Sequence, residues 1–279
     1  MNLKKFFAAL SIFTLTAVGF TGCGGEKDQD TAEILKVGTA FDVESKSFGF
    51  SDSEQGEFQG FDMDLIRAIG REIGRPVQIS NINFEGLIPT LRSGNIDVII
   101  AGLTITDERR KLISFSDPYY EAGLTAMVQA DSDINTPADL AGKRIGVKIE
   151  STSSEFAKTI PNAEIHEYDL ANDTFRALKD REVDAVINDR PLNDHAIAVN
   201  QVTNARILSD MLTEEYYGIA VRKDDVKLLQ AINEALKKLH DTGEYKQIYS
   251  KWFESENVEK TGGNQPPSSY RSLREEIAE

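Results

Sequence analysis

Cysteine is all but missing: Cys23 is the only one in 279 residues. With no second thiol the chain forms no internal disulfide, so its core alone must carry its stability. Histidine is scarce, and His166, His195 and His240 show no metal-ligand spacing. No metal or organic cofactor is therefore expected. Positive charge is in deficit, with 31 Lys and Arg against 46 Asp and Glu and a net charge of −15. That balance argues against a nucleic-acid partner and describes solubility more than substrate. A long apolar run is also lacking. Residues 6–20 are apolar but number only fifteen, short of the roughly 20 needed to span a bilayer.

What is present begins with an export signal. Lys4 and Lys5 precede the apolar run, and small residues lead into Cys23. Thr21-Gly22-Cys23 resembles a bacterial lipobox, although Phe20 stands where such motifs usually carry Leu. The resemblance implies cleavage before Cys23, with residues 1–22 as signal peptide, and acylation of Cys23. Lipid would then hold the chain on the outer side of a bacterial membrane. Residues 23–33 read as a polar tether. Residues 255–279, with Gly262-Gly263 and Pro266-Pro267, read as a mobile tail.

Between tether and tail, strand and helix patterns alternate. Leu35, Val37 and Thr39 mark a short strand. Phe61, Leu65, Ile69 and Ile73 recur every four residues, with Asp62 and Asp64 at the helix start and Gly74 and Pro76 at its end. Residues 96–101 form an almost wholly apolar strand, as a covered sheet requires. The second half repeats the scheme with strands at 144–149, 164–168 and 183–188. Leu91, Asp97, Val98 and Ile99 share their spacing with Leu178, Asp184, Ala185 and Val186. The pattern predicts an α/β fold of two lobes of similar build. Lobe 1 would comprise residues 34–126 and 221–254, and lobe 2 residues 127–220. Hinge crossings are expected near 126–129 and 218–221.

Ligands of such sheets sit beyond the carboxyl ends of the strands. There the first half places Gly102-Leu103-Thr104-Ile105-Thr106-Asp107-Glu108-Arg109, which offers a turn, hydroxyls and a guanidinium. Arg meets a carboxylate with two parallel hydrogen bonds. The second half places Asp189 in the corresponding position, so that two half-sites would face each other across a cleft. Asp189 alternatively caps the helix from Pro191.

Gly60-Phe61-Asp62-Met63-Asp64-Leu65, the run from Thr104 to Arg109, Phe115-Ser116-Asp117-Pro118-Tyr119-Tyr120, Asp139-Leu140-Ala141-Gly142-Lys143 and Val183-Asp184-Ala185-Val186-Ile187-Asn188-Asp189 occur in an order that resembles the extracytoplasmic solute-binding proteins for polar amino acids, which serve ABC importers. The resemblance covers roughly residues 35–253. It implies a type II periplasmic-binding-protein-like clamshell, each lobe a mainly parallel sheet with flanking helices. It also implies a monomer that delivers its ligand to an ABC permease.

Carried over residue by residue, the resemblance makes Arg109 the clamp on the ligand carboxylate and Asp189 the acceptor for its ammonium. Gly102 and Thr104 would add a backbone carbonyl and a hydroxyl or N–H. Ser151 and Thr152 would donate to the carboxylate, although Glu150 replaces the usual Gly of that turn. Phe84 would pack on the ligand's carbon chain, with Phe41 or Phe48 as the opposite wall. Lys148 stands where glutamine-binding members have a lysine, and Ala40 where many members have an acid. Both favour glutamine or glutamate, whereas Glu150, if it faced the cleft, would favour arginine or lysine. Tyr119 and Tyr120 are expected in hinge-side packing, and Glu214 and Glu215 in a solvated turn.

Two other classes compete with a transport binder. A cyclohexadienyl-dehydratase-like enzyme would need a general acid over its substrate, and Arg190-Pro191-Leu192 after Asp189 supplies none. A ligand-sensing surface lipoprotein would need a separate signalling partner. The expectation is therefore a binding protein and not an enzyme.

Overall fold

The computed structural model describes residues 33–40, 48–51 and 57–253. The signal peptide, Cys23, most of the tether, Phe41 and the tail lie outside them.

The chain opens with β1 (Leu35–Thr39), a two-strand ribbon β2 (Phe50–Ser51) and β3 (Phe58–Gln59), then α1 (Phe61–Glu72), β4 (Val77–Asn81), α2 (Phe84–Arg92), β5 (Val98–Ile99), α3 (Asp107–Leu112) and β6 (Ser114–Ala122). It continues with β7 (Leu124–Gln129), β8 (Arg144–Lys148), α4 (Thr152–Ala157), β9 (Glu164–Tyr168), α5 (Ala171–Lys179), β10 (Ala185–Asp189), α6 (Arg190–Ala198) and β11 (Ala205–Ile207). It closes with β12 (Glu215–Val221), α7 (Val226–Thr242) and α8 (Glu244–Phe253). The strands form two five-stranded sheets, ordered β4-β1-β5-β12-β6 and β11-β7-β10-β8-β9. The molecule is a two-lobe α/β clamshell, one sheet per lobe.

Each sheet is mixed. In the first, β4, β1 and β5 run parallel, and β12 pairs antiparallel with both β5 and β6. In the second, β9, β8 and β10 run parallel, and β7 pairs antiparallel with both β10 and β11. Four strands of each sheet thus point one way and one runs against them. Helices follow from the apolar pattern: α1 buries Phe61, Leu65 and Ile69 on one face, and α7 buries Leu228, Ile232, Leu236 and Leu239.

The internal echo has a physical basis. Asp97 N–H donates to Lys36 O at 2.8 Å, and Asp97 Oδ2 accepts from Lys36 N at 3.1 Å. Asp184 N–H donates to Arg144 O at 2.8 Å, and Asp184 Oδ2 accepts from Arg144 N at 2.9 Å. Both aspartates lock the entry of a buried strand to the first turn of ladder on its neighbour, so one side chain serves the same register in both lobes.

The crossings differ from expectation. Residues 126–129 lie inside β7, with Ala126 paired to Ile187 and Val128 to Ala185. Residues 218–221 lie inside β12, paired with β5 and β6. The chain leaves the first sheet at Gly123 and returns between Ile207 and Glu215. The two crossings touch: Leu124 N–H donates to Thr213 Oγ1 at 3.0 Å.

Candidate functional site

Three chain segments at the carboxyl ends of β5, β8 and β10 converge between the lobes. The first begins at Gly102, which holds φ +56, a left-handed conformation natural to glycine. Its N–H donates to Asp62 Oδ2 at 2.9 Å and to the Tyr119 hydroxyl at 3.3 Å. Asp62 reaches it from the first turn of α1 and is fully buried, which pushes its pKa up to about 7 against the lowering effect of the Tyr119 and Gly102 bonds. Thr106 then caps α3 by accepting from Arg109 N.

Arg109 leaves α3 toward the other lobe. Its Nη1 donates to Thr104 O at 2.9 Å, and its Nη2 to Glu150 O across the boundary at 3.3 Å. The guanidinium carbon lies 5.5 Å from the Phe84 ring centroid. Burial lowers its pKa, and the charges of Asp189, Glu155 and Glu215 oppose that. A guanidinium has five N–H donors, so two backbone bonds leave donors over for a carboxylate.

The second segment follows β8. Lys148 Nζ stands 4.5 Å from the Phe84 centroid. Glu150 adopts φ +56. The turn therefore keeps the left-handed geometry its usual glycine would supply, and the Glu150 side chain is exposed. Ser151 caps α4, accepting from Ser154 N at 3.2 Å and donating to Lys148 O at 2.6 Å. The third segment ends β10. Asp189 sits at the N-cap position of α6 and makes no side-chain capping bond, so capping does not explain it. Tyr217 hydrogen-bonds its carboxylate, while burial and then the charge of Glu215 raise its pKa to about 7. Its Oδ1 is buried with no hydrogen-bond partner among the described residues.

Of the expected residues, Phe48, Phe84, Gly102, Lys148 and Ser151 line one interlobe cavity of about 90 Å³, together with Ala40, Ser153, Asn188, Leu192 and Tyr217. No carboxylate lines it among the described residues. Arg109 and Asp189 lie beside it. Phe41 falls outside the described residues. Thr104 and Thr152 are spoken for in an unexpected way: both hydroxyls donate to Glu215. A hydroxyl has one proton, so neither hydroxyl has a proton left to donate elsewhere, against the expectation for Thr152.

The expectation for Glu215 is corrected: it is partly buried at the lobe boundary, and Glu214 alone is exposed. Asp62, Asn188, Glu215 and Tyr217 were missed as site residues. A signal for Asp62 existed, since it lies on the same helical face as Leu65, Ile66 and Ile69. Tyr119 and Tyr120 are buried as expected, Tyr120 stacked on Tyr217 at 5.7 Å.

The model of the bacterial extracellular solute-binding proteins, family 3, matches residues 35–255. The glutamine-binding protein of an ABC transporter from Bacillus subtilis (strain 168) is 32% identical over 275 residues, covering 92% of this chain and all of that one. The solved structure of an ancestral arginine-binding protein bound to arginine is 40% identical with a TM-score of 0.73, covering 79% of this chain and 98% of that one. An ancestral amino-acid-binding protein, described as a precursor of cyclohexadienyl dehydratase, is 34% identical with a TM-score of 0.71, covering 79% and 95%.

Proposed function

This chain belongs to the bacterial extracellular solute-binding proteins of family 3, and on that premise we propose that it binds a free polar amino acid, glutamine or glutamate, between its lobes and hands it to an ABC importer. The observation that carries the reading is Asp189 Oδ1, a buried carboxylate oxygen without a partner among the described residues, beside a guanidinium with donors to spare. An α-ammonium would satisfy the first and an α-carboxylate the second. A buried zwitterion is tolerable only when both charges are paired. Arg109 stands in the first lobe and Asp189 in the second, so the full set forms only when the lobes are together. Binding then favours the closed arrangement that a permease would recognise.

The side chain of the ligand would lie in the cavity against Phe84 and Phe48. Lys148 favours an oxygen there and would repel a cationic side chain. The family, made up mostly of transport solute-binding proteins, supports a binder over an enzyme. The signal-like start and Cys23 support an extracytoplasmic protein anchored by lipid to a bacterial membrane, with a monomer as the working unit. The lobe limits that fit this reading are the crossings at Gly123 and before Glu215.

A thermal-shift screen tests it. Protein lacking residues 1–23 is unfolded, refolded free of carried-over ligand, and mixed with each common amino acid. At a hundred times the dissociation constant a ligand adds about 2.7 kcal/mol, roughly 5–10 °C for a chain of this size. Shifts with glutamine or glutamate are expected. A shift with arginine alone, which the arginine-bound relative makes the main alternative, would overturn the ligand class. No shift with any amino acid would overturn the binder reading and direct the protein to prephenate and arogenate.

A further inference from the structure

Glu215 gathers three hydroxyls. Thr104 of the first lobe and Thr152 of the second both donate to its Oε2, at 3.0 and 2.9 Å, and Thr213 of the crossing donates to Oε1 at 3.1 Å. The residue opens β12 and pairs with Ala122, the residue before the other crossing at Gly123. A single carboxylate therefore stands on the hinge line and touches both lobes through one oxygen.

We propose that Glu215 is an interlobe strut, a positioning residue whose carboxylate ties Thr104 to Thr152 and so favours the lobe-closed arrangement. Hydrogen bonds to an ionised acceptor are roughly twice as strong as neutral ones, and only the Thr152 limb crosses the boundary. Opening the lobes breaks that limb while the Thr104 and Thr213 limbs hold the carboxylate in place. The strut is thus anchored on one side and released on the other. Arg109 lies close enough to feel this charge and helps neutralise it, whereas Asp189 feels it as a like charge. The strut acts on the protein alone and stands whichever ligand occupies the site.

Double electron–electron resonance on the ligand-free protein tests this without reference to any ligand. With Cys23→Ser removing the native thiol, labels go on Arg92→Cys and Lys179→Cys, exposed residues ending α2 and α5 in the two lobes. Glu215→Ala should lower the population at the short interlobe distance about tenfold, the worth of one charge-assisted hydrogen bond. Thr152→Val should do the same, and the double variant should open no further. Glu215→Gln keeps a carbonyl acceptor and should recover part of the short-distance population. Unchanged distance distributions in Glu215→Ala and Thr152→Val, or additive opening in the double variant, would overturn the proposal. Should Glu215→Ala fail to fold by circular dichroism, Thr152→Val carries the test alone.

Discussion

Lys148 and Phe84 meet across the lobe boundary, the ammonium of one 4.5 Å from the ring centroid of the other. Lys148 ends β8 in the second lobe, and Phe84 starts α2 in the first. A cation over an aromatic face is held in place, yet an ammonium has three donors and can still reach a ligand oxygen. Lys148→Ala should therefore weaken glutamine and glutamate binding by about 1.5–3 kcal/mol, the worth of a hydrogen bond to a charged group. Any residual binding of alanine or serine, whose side chains are too short to reach it, should change far less. Calorimetric titration of the four amino acids separates the two, and an equal loss for all would remove Lys148 as the specificity residue.

Arg109 and Asp189 carry opposite charges on opposite lobes. Removing one partner leaves the other charge buried and uncompensated, so Arg109→Ala and Asp189→Ala should each cost about 2–5 kcal/mol of ligand binding. Arg109→Lys should not restore it, because lysine lacks the planar fork that bonds a carboxylate twice. Near-wild-type affinity in both alanine variants would move the ligand elsewhere.

Asp62 makes stability depend on pH. Burial holds its folded pKa at about 7, against an ordinary value of 3.8. Between these values the folded state binds more protons than the unfolded one. Its contribution is therefore complete below pH 3.8 and is lost as pH rises toward 7, with a slope of at most about 1.4 kcal/mol per pH unit. Asp189 acts in the same direction. His240, pushed down to about 4 by burial, acts in the opposite direction between there and its ordinary 6.5. Asp62→Asn keeps an acceptor for Gly102 and leaves the other two groups in place. Urea denaturation from pH 4 to 8 should show the wild type losing stability relative to Asp62→Asn as pH rises to 7. Parallel profiles would refute the buried proton.

Much of the clamshell is legible in the chain because alternating strands and amphipathic helices leave period-specific traces. The strand at 164–168 and the helix carrying Phe61, Leu65 and Ile69 read directly for that reason. β6 and β7 do not, because β6 carries Pro118 inside it and β7 is buried on both faces, so neither shows a clean alternation. In the site, Arg109 and Asp189 are visible as charges that follow buried strands, and Lys148 through the family resemblance. Glu215 is not, since it sits among polar neighbours at 213–216 and gains its role only when β12 returns beside Thr104 and Thr152. Partnerships made by long-range return of the chain have no local signature.

Glu150 keeps a left-handed backbone at φ +56, where a Cβ is crowded against a carbonyl oxygen at a cost of about 1–2 kcal/mol. Its side chain is exposed and its carbonyl supplies the bond from Arg109. Glycine relieves the crowding but loses more entropy on folding. Glu150→Gly should therefore stabilise the protein modestly, by about 0.5–1 kcal/mol. A rise in melting temperature with an unchanged amino-acid preference is expected. A lowered melting temperature would show that the Glu150 side chain contributes more than its strain removes.

Gly123 is required by contact, since it lies where the two crossings press together. A Cβ there would sit 2.5 Å from Thr213 O and against the Met211 methyl. The methyl group could move aside, but the carbonyl belongs to the returning crossing, which is tied to Leu124: Leu124 N–H donates to Thr213 Oγ1, and Leu212 N–H donates to Leu124 O. Gly123→Ala must therefore spread the two crossings, at about 1–3 kcal/mol for a forced backbone shift. Because the displaced segments connect the lobes, ligand affinity should fall along with melting temperature. A surface alanine substitution of equal stability cost should lower melting temperature alone. If Gly123→Ala loses stability with affinity intact, the hinge tolerates a wider spacing, and the contact serves packing only.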